Sequence, residues 1–560
     1  NGIDIVTSLT SNSSGLLTVD ASGMTAQASG TTTFDIGATS HATNGTASIT
    51  GSPGEDIIAI GNFASTVIGG GEDDSITGGT AADNLQGGAA NDTISGGGGN
   101  DTILGGAGND TITSGSGTKQ SIDGGAGNDS INMDASLSLN DTVIGGSGTD
   151  TLIIDTSAAT AASSQGVSGF ETLRIDTASL TQDMVQFTTN STFTKVISNA
   201  TGAHTISNVG AGVTAYSLLN GATTVSFARL LDNSSNELTV SAFTDTASTI
   251  TSLTIDNEET ITIDDGAINS AIGLTVTTLH AEDVVTLNIT GVANVAISNA
   301  IESQATAALT TVDASGNTGT VSVNAGNASL ALTMTGPSAA AATLAGGSGA
   351  DTITTGSAAD VITGNAGSDT ITTKGGTDSI TAGSGADTIT SGEGADTVSG
   401  GSGSDSIILT ENTSAADLIK ITTAYGSSSD SERNTVTGDD NDTGDDTITG
   451  FTWGTDVIQV RSTGVVNFVH GTDTSIGTAT GDKNDGTVGG FLKTVGLIDD
   501  NTTNDDYDDG GDVAITFASP SATLTETRFE AALQYEIDGS SAANTITGGA
   551  LADTIDGGGG

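Results

Sequence analysis

From Gly87 to Thr113 the chain reads GGAANDTISGGGGNDTILGGAGNDTIT, and a lone apolar side chain returns at every ninth residue, at Ile94, Ile103 and Ile112. Each is flanked by Thr, Ser or another outward-facing residue, the two-residue alternation of a short strand with one buried face. Glycines fill the spaces between, where φ > 0 lets a chain turn tightly. The pattern predicts a three-residue strand and a six-residue turn, repeated. Two such units make one 18-residue coil, so alternate units stack as parallel rungs around a thin core. Two residues before each apolar position stands an acid: Asp92, Asp101 and Asp110.

The same unit organises much of the chain. A first array runs from about Gly51 to Ile153, with acids at Asp56, Asp74, Asp83, Asp92, Asp101, Asp110, Asp129, Asp141 and Asp150. Its register slips at SGSGTKQSID and at MDASLSLNDTVI, where Gln120 and Asn140 mark irregular turns, and the unit IGNFASTVI has no acid. A second array holds Asp351, Asp360, Asp369, Asp378, Asp387, Asp396 and Asp405 at unbroken nine-residue spacing, with Lys374 intruding in TKGGTDSIT. A third begins at GSSAANTITGGALADTIDGGGG with Asn544 and Asp553, and NGIDIVT at the start fits a partial unit around Asp4. The expectation is a window within a longer polypeptide.

Between the arrays, short alternating segments such as SLTIDN at Ser252, TITID at Thr260, LTVTT at Leu274, VVTLNIT at Val284 and VSVNAG at Val321 recur with turn signals between them. Hairpin sandwiches and a stacked solenoid both fit this pattern. Few aromatics and many Thr and Val favour the thin rungs of a solenoid. Residues 409–538 differ: aromatics collect there, among them Phe451, Trp453, Phe468, Phe491 and Phe517, and a small compact core is expected. TRFEAALQYE at Thr527 carries a Thr527/Glu530 capping box and an apolar pair, Phe529 and Leu533, predicting one short helix.

The fold class is therefore all-β: a parallel β-roll or β-solenoid with one small compact β-rich domain bearing a short helix. Its expected segments are a β-solenoid over 1–50, a first β-roll over 51–153 and a Thr/Ala-rich β-solenoid over 154–345. A second β-roll over 346–408, the compact domain over 409–538 and the start of a third β-roll over 539–560 complete it.

Charge changes the picture. Lys plus Arg is 11 against 67 for Asp plus Glu, a formal net charge of −56, with no cysteine to form disulfides. Such a chain repels nucleic acid and anionic membranes, and no apolar run is long enough to insert as a helix. Acids eighteen residues apart would stack roughly 4.8 Å from each other on one edge of the coil. A hard cation taking carboxylate and carbonyl oxygens would offset their repulsion, which is the chemistry of Ca2+ at multiple sites. The candidate metal ligands are the array acids named above together with Asp553. Two acidic loops, at Gly438 and Asp499, are further candidates; the first begins like an EF-hand at Asp439, Asn441 and Gly444, but Gly450 stands where a bidentate Glu is needed.

The units match GGxGxDxUx, and the chain resembles the RTX (repeats-in-toxin) calcium-binding family. That resemblance implies a β-roll formed on binding calcium and export by type I secretion. The phrases GVSGFETLRID at Gly166 and VDASG at Val19 and Val312, with the closing array, are similar to RTX-type surface-layer (S-layer) proteins of Gram-negative bacteria. The function so implied is a non-enzymatic structural protein that self-associates into a lattice or filament outside the cell, on the bacterial surface. Cell-surface polysaccharide and the type I secretion machinery are its expected partners. The alternatives are the stalk of an RTX adhesin or biofilm-matrix protein, and the non-catalytic part of a secreted RTX enzyme. His41, His204, His280 and His470 are isolated, no HExxH or GxSxG occurs, and no catalytic or organic-cofactor site is expected. The histidines are expected at the surface.

Overall fold

The computed structural model describes residues 46–133, 137–155, 164–199, 201–219, 222–231, 236–242, 248–264, 273–281, 283–301, 309–409 and 415–422. Separate pieces at 17–22, 32–35, 447–449, 457–461, 468–470, 473–476, 536–538 and 554–556 are also described. The expected helix at 527–536, apart from Glu536 in the strand Glu536–Asp538, lies outside these residues, as do the acidic loops, Asp4, Asn544 and Asp553. The chain divides into two units, residues 1–284 and 285–560.

In the first unit successive strands alternate between two sheets. One ladder climbs from Leu17–Asp20 through Ala47–Thr50, Ser65–Gly71, Asn84–Ala89, Thr102–Ala107, Ser121–Ala126 and Thr142–Ser147 to Val167–Ser168, every pairing parallel. The other climbs from Thr32–Asp35 through Asp56–Ala59, Ser75–Thr77, Thr93–Ser95, Thr111–Thr113, Ser130–Met133 and Thr151–Ile154. It continues without a break through Thr172–Ile175, Lys195–Ser198, Ala215–Leu218 and Glu237–Ala242 to Thr260–Asp264. A parallel pair needs a crossover, and here each crossover is the opposite strand of the same coil. This is a parallel β-solenoid, and the hairpin sandwich is excluded for the described middle segment.

The lone apolar position is what makes the coil close. Ile58, Ile76, Ile94, Ile112, Ile131, Leu152, Leu173, Val196 and Tyr216 stand in register as one column, all at most 1% exposed. Ile49, Val67, Leu85, Ile103, Ile122 and Val143 form the facing column. Each such side chain contributes about 1.5–3 kcal/mol when taken from water, so many small rungs add up to a continuous core. Beyond the first array the rungs widen: Phe170, Tyr216 and Phe227 are fully enclosed, with the last two rings 5.8 Å apart.

The second unit repeats the plan. Leu287, Val312, Met334, Ile353, Ile371, Ile389 and Ile407 form one inward column, flanked outward by Thr352, Thr370 and Thr388 and by Thr354, Thr372 and Thr390. The ladders run past residue 408: Leu418–Thr422, Thr447–Thr449 and Val457–Arg461 pair in parallel onto them. The described strands within residues 418–461 thus extend the ladders of the second array.

Truncating a core rung tests this packing. Ile112→Ala should destabilise the calcium-saturated chain by about 2–5 kcal/mol, whereas Thr111→Ala on the exposed side should stay within about 0.5 kcal/mol. Urea midpoints measured in excess calcium would separate the two, and equal shifts would contradict an inward Ile112.

Candidate metal centre

The turn preceding each short strand buries its acid. Asp74, Asp92, Asp101, Asp110, Asp129 and Asp150 are at most 2% exposed, as are Asp351, Asp360, Asp369, Asp378, Asp387, Asp396 and Asp405; Asp56, Asp83 and Asp141 are equally enclosed, at 1–4%. Burial follows from position: the acid lies where the chain leaves the turn and enters the strand whose next inward residue is the core Ile.

One carboxylate oxygen of each acid is spent on the coil. The backbone N–H of Asp56 donates to Asp74 Oδ1, that of Asp74 to Asp92, that of Asp92 to Asp110, that of Asp110 to Asp129 and that of Asp129 to Asp150, each at 2.8 Å. On the opposite edge Ser65 donates to Asp83, Asp83 to Asp101, Asp101 to Gln120 Oε1 and Gln120 to Asp141. In the second array Leu332, Asp351, Asp369 and Asp387 donate in turn to Asp351, Asp369, Asp387 and Asp405. Ala342, Asp360, Asp378 and Asp396 donate to Asp360, Asp378, Asp396 and Asp417.

The second oxygen is left over. Oδ2 of Asp74, Asp92, Asp101, Asp110, Asp129, Asp150, Asp360, Asp369, Asp378, Asp387 and Asp396 is buried and accepts no hydrogen bond. A methyl group placed on Gly87 would collide with both Asp92 Oδ2 and the Gly105 carbonyl oxygen; on Gly105, with Asp110 Oδ2 and the Gly124 carbonyl; on Gly364, with Asp369 Oδ2 and the Ala382 carbonyl. These turns thus hold a small cradle between their own acid and the carbonyl of the next turn, which glycine leaves open; at Asp360, Asp378, Asp387 and Asp396 the same position is Thr355, Thr373, Ala382 and Ser391. Among the described residues no three acidic, histidine or cysteine side chains converge, so backbone carbonyls must supply much of any ligand set. An all-oxygen cradle facing an unpartnered carboxylate oxygen fits a hard cation such as calcium.

Electrostatics agrees. Burial, opposed by the backbone hydrogen bond, pushes Asp74, Asp92 and Asp396 up to about 7. It pushes Asp83, Asp101, Asp129, Asp150, Asp369, Asp378, Asp387 and Asp405 up to about 6 and raises Asp110 and Asp351. Neighbouring acids of the same ladder add to the rise, as Asp110 does for Asp92 and Asp405 for Asp387. These groups resist ionisation unless a cation arrives.

Several turns vary the theme. Gln120 fills an acid slot with an amide: its Oε1 accepts from Asp101 N–H at 2.9 Å and its Nε2 donates to the Gly99 carbonyl at 3.1 Å. The slot is held there by a neutral amide in place of a carboxylate. Ser65 takes the slot in the acid-free unit; Asp83, Asp141 and Asp351 each gain a second N–H, from Gly79, Ser138 and Gly347, and Asp56 accepts from both the N–H and the hydroxyl of Ser52. Asp417 joins a ladder although it lies outside the nonapeptide spacing; its only sequence signal is the acid two residues before Ile419 in AADLIK. Asp553 lies outside the described residues. His204, expected at the surface, is instead 1% exposed, with Nδ1 bonded to Ser198 Oγ at 2.7 Å and Nε2 facing the Thr177 carbonyl at 3.2 Å; burial lowers its pKa.

Two outcomes follow from the free oxygens. An Asp raised from its unfolded value near 3.8 favours the metal-free fold most below about pH 4 and withdraws that support as pH rises through 6 to 7. Chelated protein should therefore lack β signal by circular dichroism at pH 8 and regain part of it near pH 5, while calcium should restore it at pH 8; a chelated spectrum unchanged by pH would count against buried, cation-requiring acids. In calorimetric titration, Asp387→Asn should bind fewer calcium ions than the parent and Gln120→Asp should bind about one more. Identical isotherms for all three chains would rule out the cradles as the binding sites.

No curated protein matches the chain. The family model of the RTX calcium-binding nonapeptide repeat (4 copies) matches residues 60–93, 86–118, 120–133, 139–153, 339–371, 372–407 and 537–560. The first two arrays coincide with the buried-acid ladders, and the repeats imply calcium binding. The arrays are RTX calcium-binding nonapeptide repeats, and the chain carries them in several separate segments.

Proposed function

We propose that the chain is a non-enzymatic structural protein, exported by type I secretion, that assembles a calcium-dependent layer or filament on the outside of a bacterial cell. The observation that carries this reading is the ladder of buried, unpartnered carboxylate oxygens. Such a ladder orders only where calcium is plentiful, and extracellular modules work at roughly 0.1–1 mM calcium, far above cytosolic levels. A chain that stays unfolded inside the cell and folds outside suits a narrow export channel.

Self-association is supported by the outer faces. On a chain of net charge −56, the columns Thr352, Thr370, Thr388 and Thr354, Thr372, Thr390 form a neutral, regular strip. Copies can approach there without the repulsion that the acidic remainder imposes. Neutral hydroxyl columns also suit a cell-surface polysaccharide as an anchoring partner. The charge disfavours nucleic acid, and no helix of the described residues is long and apolar enough to cross a membrane.

The reading as non-enzymatic is supported by the enclosure of the Ser198–His204 pair. Both residues are at most 1% exposed and Ser198 is also bonded to the buried Tyr216 hydroxyl, so no substrate reaches them. A second reading, the stalk of an adhesin or biofilm-matrix protein, draws on the same long parallel ladders, which suit a spacer as well as a lattice. Negative-stain microscopy of the purified chain in millimolar calcium separates the two. Ordered sheets or filaments that disperse on chelation are expected; isolated rods at every concentration would favour the stalk.

A further inference from the structure

The acid ladder of the first array does not stop with its last nonapeptide. The N–H of Asp150 donates to Glu171 Oε2 at 2.8 Å, the same bond that each earlier acid receives from the turn before it. Glu171 belongs to SGFETLRI, outside the matched repeat segments, the nearest of which ends at residue 153. The carbonyl column reaches equally far: a methyl group on Gly145 would collide with the Gly169 carbonyl oxygen and with Asp150 Oδ2, as one on Gly124 would with the Gly145 carbonyl and Asp129 Oδ2. Gly169 adopts φ +74°, a left-handed conformation that glycine takes without strain. Asp150 itself is 0% exposed, and its Oδ2 has no partner. That buried, unpartnered oxygen is the independent sign that this cradle is built to take a ligand.

We infer that Asp150, Gly169 and Glu171 form a terminal calcium site, one turn beyond the repeat motif, that ties the first β-roll to the solenoid following it. The inference rests on the reading of the ladders as calcium sites and extends it to a residue type and a segment that the nonapeptide does not include. Glutamate reaches the slot in place of aspartate, and it adds a second negative charge beside Asp150.

The site is placed to pass order onward. The Glu171 carbonyl accepts from the N–H groups of Thr194 and Lys195 at 2.8 and 3.1 Å. Phe170, in the core beside it, has its N–H and carbonyl both bonded to the Asn190 amide, at 2.9 and 3.0 Å. A cation that fixes Glu171 therefore fixes the rung Thr172–Ile175 and, through it, the rung Lys195–Ser198. Calcium in the array would then set the calcium dependence of a segment that has no nonapeptide of its own.

Glu171→Gln is the decisive variant, because the amide oxygen still accepts from Asp150 N–H while the charge is gone. The full chain carrying it should bind about one calcium fewer by equilibrium dialysis against labelled calcium. Hydrogen-exchange protection of residues 172–198 should then require about tenfold more calcium, with the strands at 93–95 and 111–113 protected at the parent concentration. Asp110→Asn serves as the control within the array. If Asp110→Asn loses calcium and Glu171→Gln does not, the ladder stands and the terminal site is refuted; if neither loses calcium, the ladder reading itself has failed. Should Glu171→Gln not order residues 172–198 at any calcium level, Glu171→Asp decides: regaining the missing ion supports the site, and a count no higher than that of Glu171→Gln overturns it.

Discussion

A carboxylate that leaves water needs something to neutralise it or it will not stay ionised. The chain buries such groups at almost every turn of its arrays, and the rest of the architecture can be understood as answers to that demand. In most turns the answer is half given by the coil, whose backbone N–H takes one oxygen, and half left to a cation. At Gln120 an uncharged amide stands in the acid slot, and no charge is buried. In the middle solenoid, where no nonapeptide occurs, Glu258 is enclosed with Arg229, whose side chain is 2% exposed, lies 5.7 Å from the Phe227 ring centroid and also donates to the Gly210 and Glu237 carbonyls. Burial still holds Glu258 up at about 7, with Arg229 pulling the other way. The same problem is solved by an internal guanidinium where the chain carries one, and by an imported ion where it does not.

An imported ion makes folding conditional. Glycine loses more backbone freedom on ordering than any other residue, and the single apolar residue per unit gives a thin core. Without the cation, burial of the ladder acids opposes the fold as well. On the calcium reading, metal binding and folding would be one equilibrium, because each unit contributes to both the core column and the acid column. A polypeptide of this design needs neither disulfides nor a thick aromatic core to become rigid once its acids are neutralised.

Much of this was legible in the sequence because the period was. Nine-residue spacing gave the coil, the lone Ile gave the core column, and the acid two residues earlier gave the stacked carboxylates that run from Asp74 to Asp150 and from Asp351 to Asp405. What escaped was whatever period could not carry. Asp417 follows its partner Asp396 by 21 residues and Glu171 follows Asp150 by the same distance, so both leave the 18-residue register while keeping the ladder hydrogen bond. The bond preserves the slot across the longer spacing. His204 looked like a surface residue because its partners, Ser198 and the Thr177 carbonyl, are brought to it by coils rather than by local sequence. Arg229 and Glu258 are likewise 29 residues apart.

The two arrays, alike in their acids, differ in what else joins their turns. Along one edge of the first array the residue before each acid carries its own exposed ladder: Asn91 N–H donates to Asp73 Oδ1, Asn109 to Asn91, Asn128 to Asn109 and Thr149 to Asn128, at 2.7–2.9 Å. These bonds run in the opposite sense to those of the acids and require no ion. In the second array the equivalent positions are Ala350, Ser368 and Ala386, and the bond from Ala386 N–H to Ser368 Oγ, at 3.2 Å, stands where the amide ladder would. At about 0.5–1.5 kcal/mol for each hydrogen bond, the first array has a metal-independent reserve that alanine cannot provide. The regular spacing of the second array is the counterpart of that lack: with fewer side chains to bridge its turns, its coils must stack without insertions for each cradle to meet its ion.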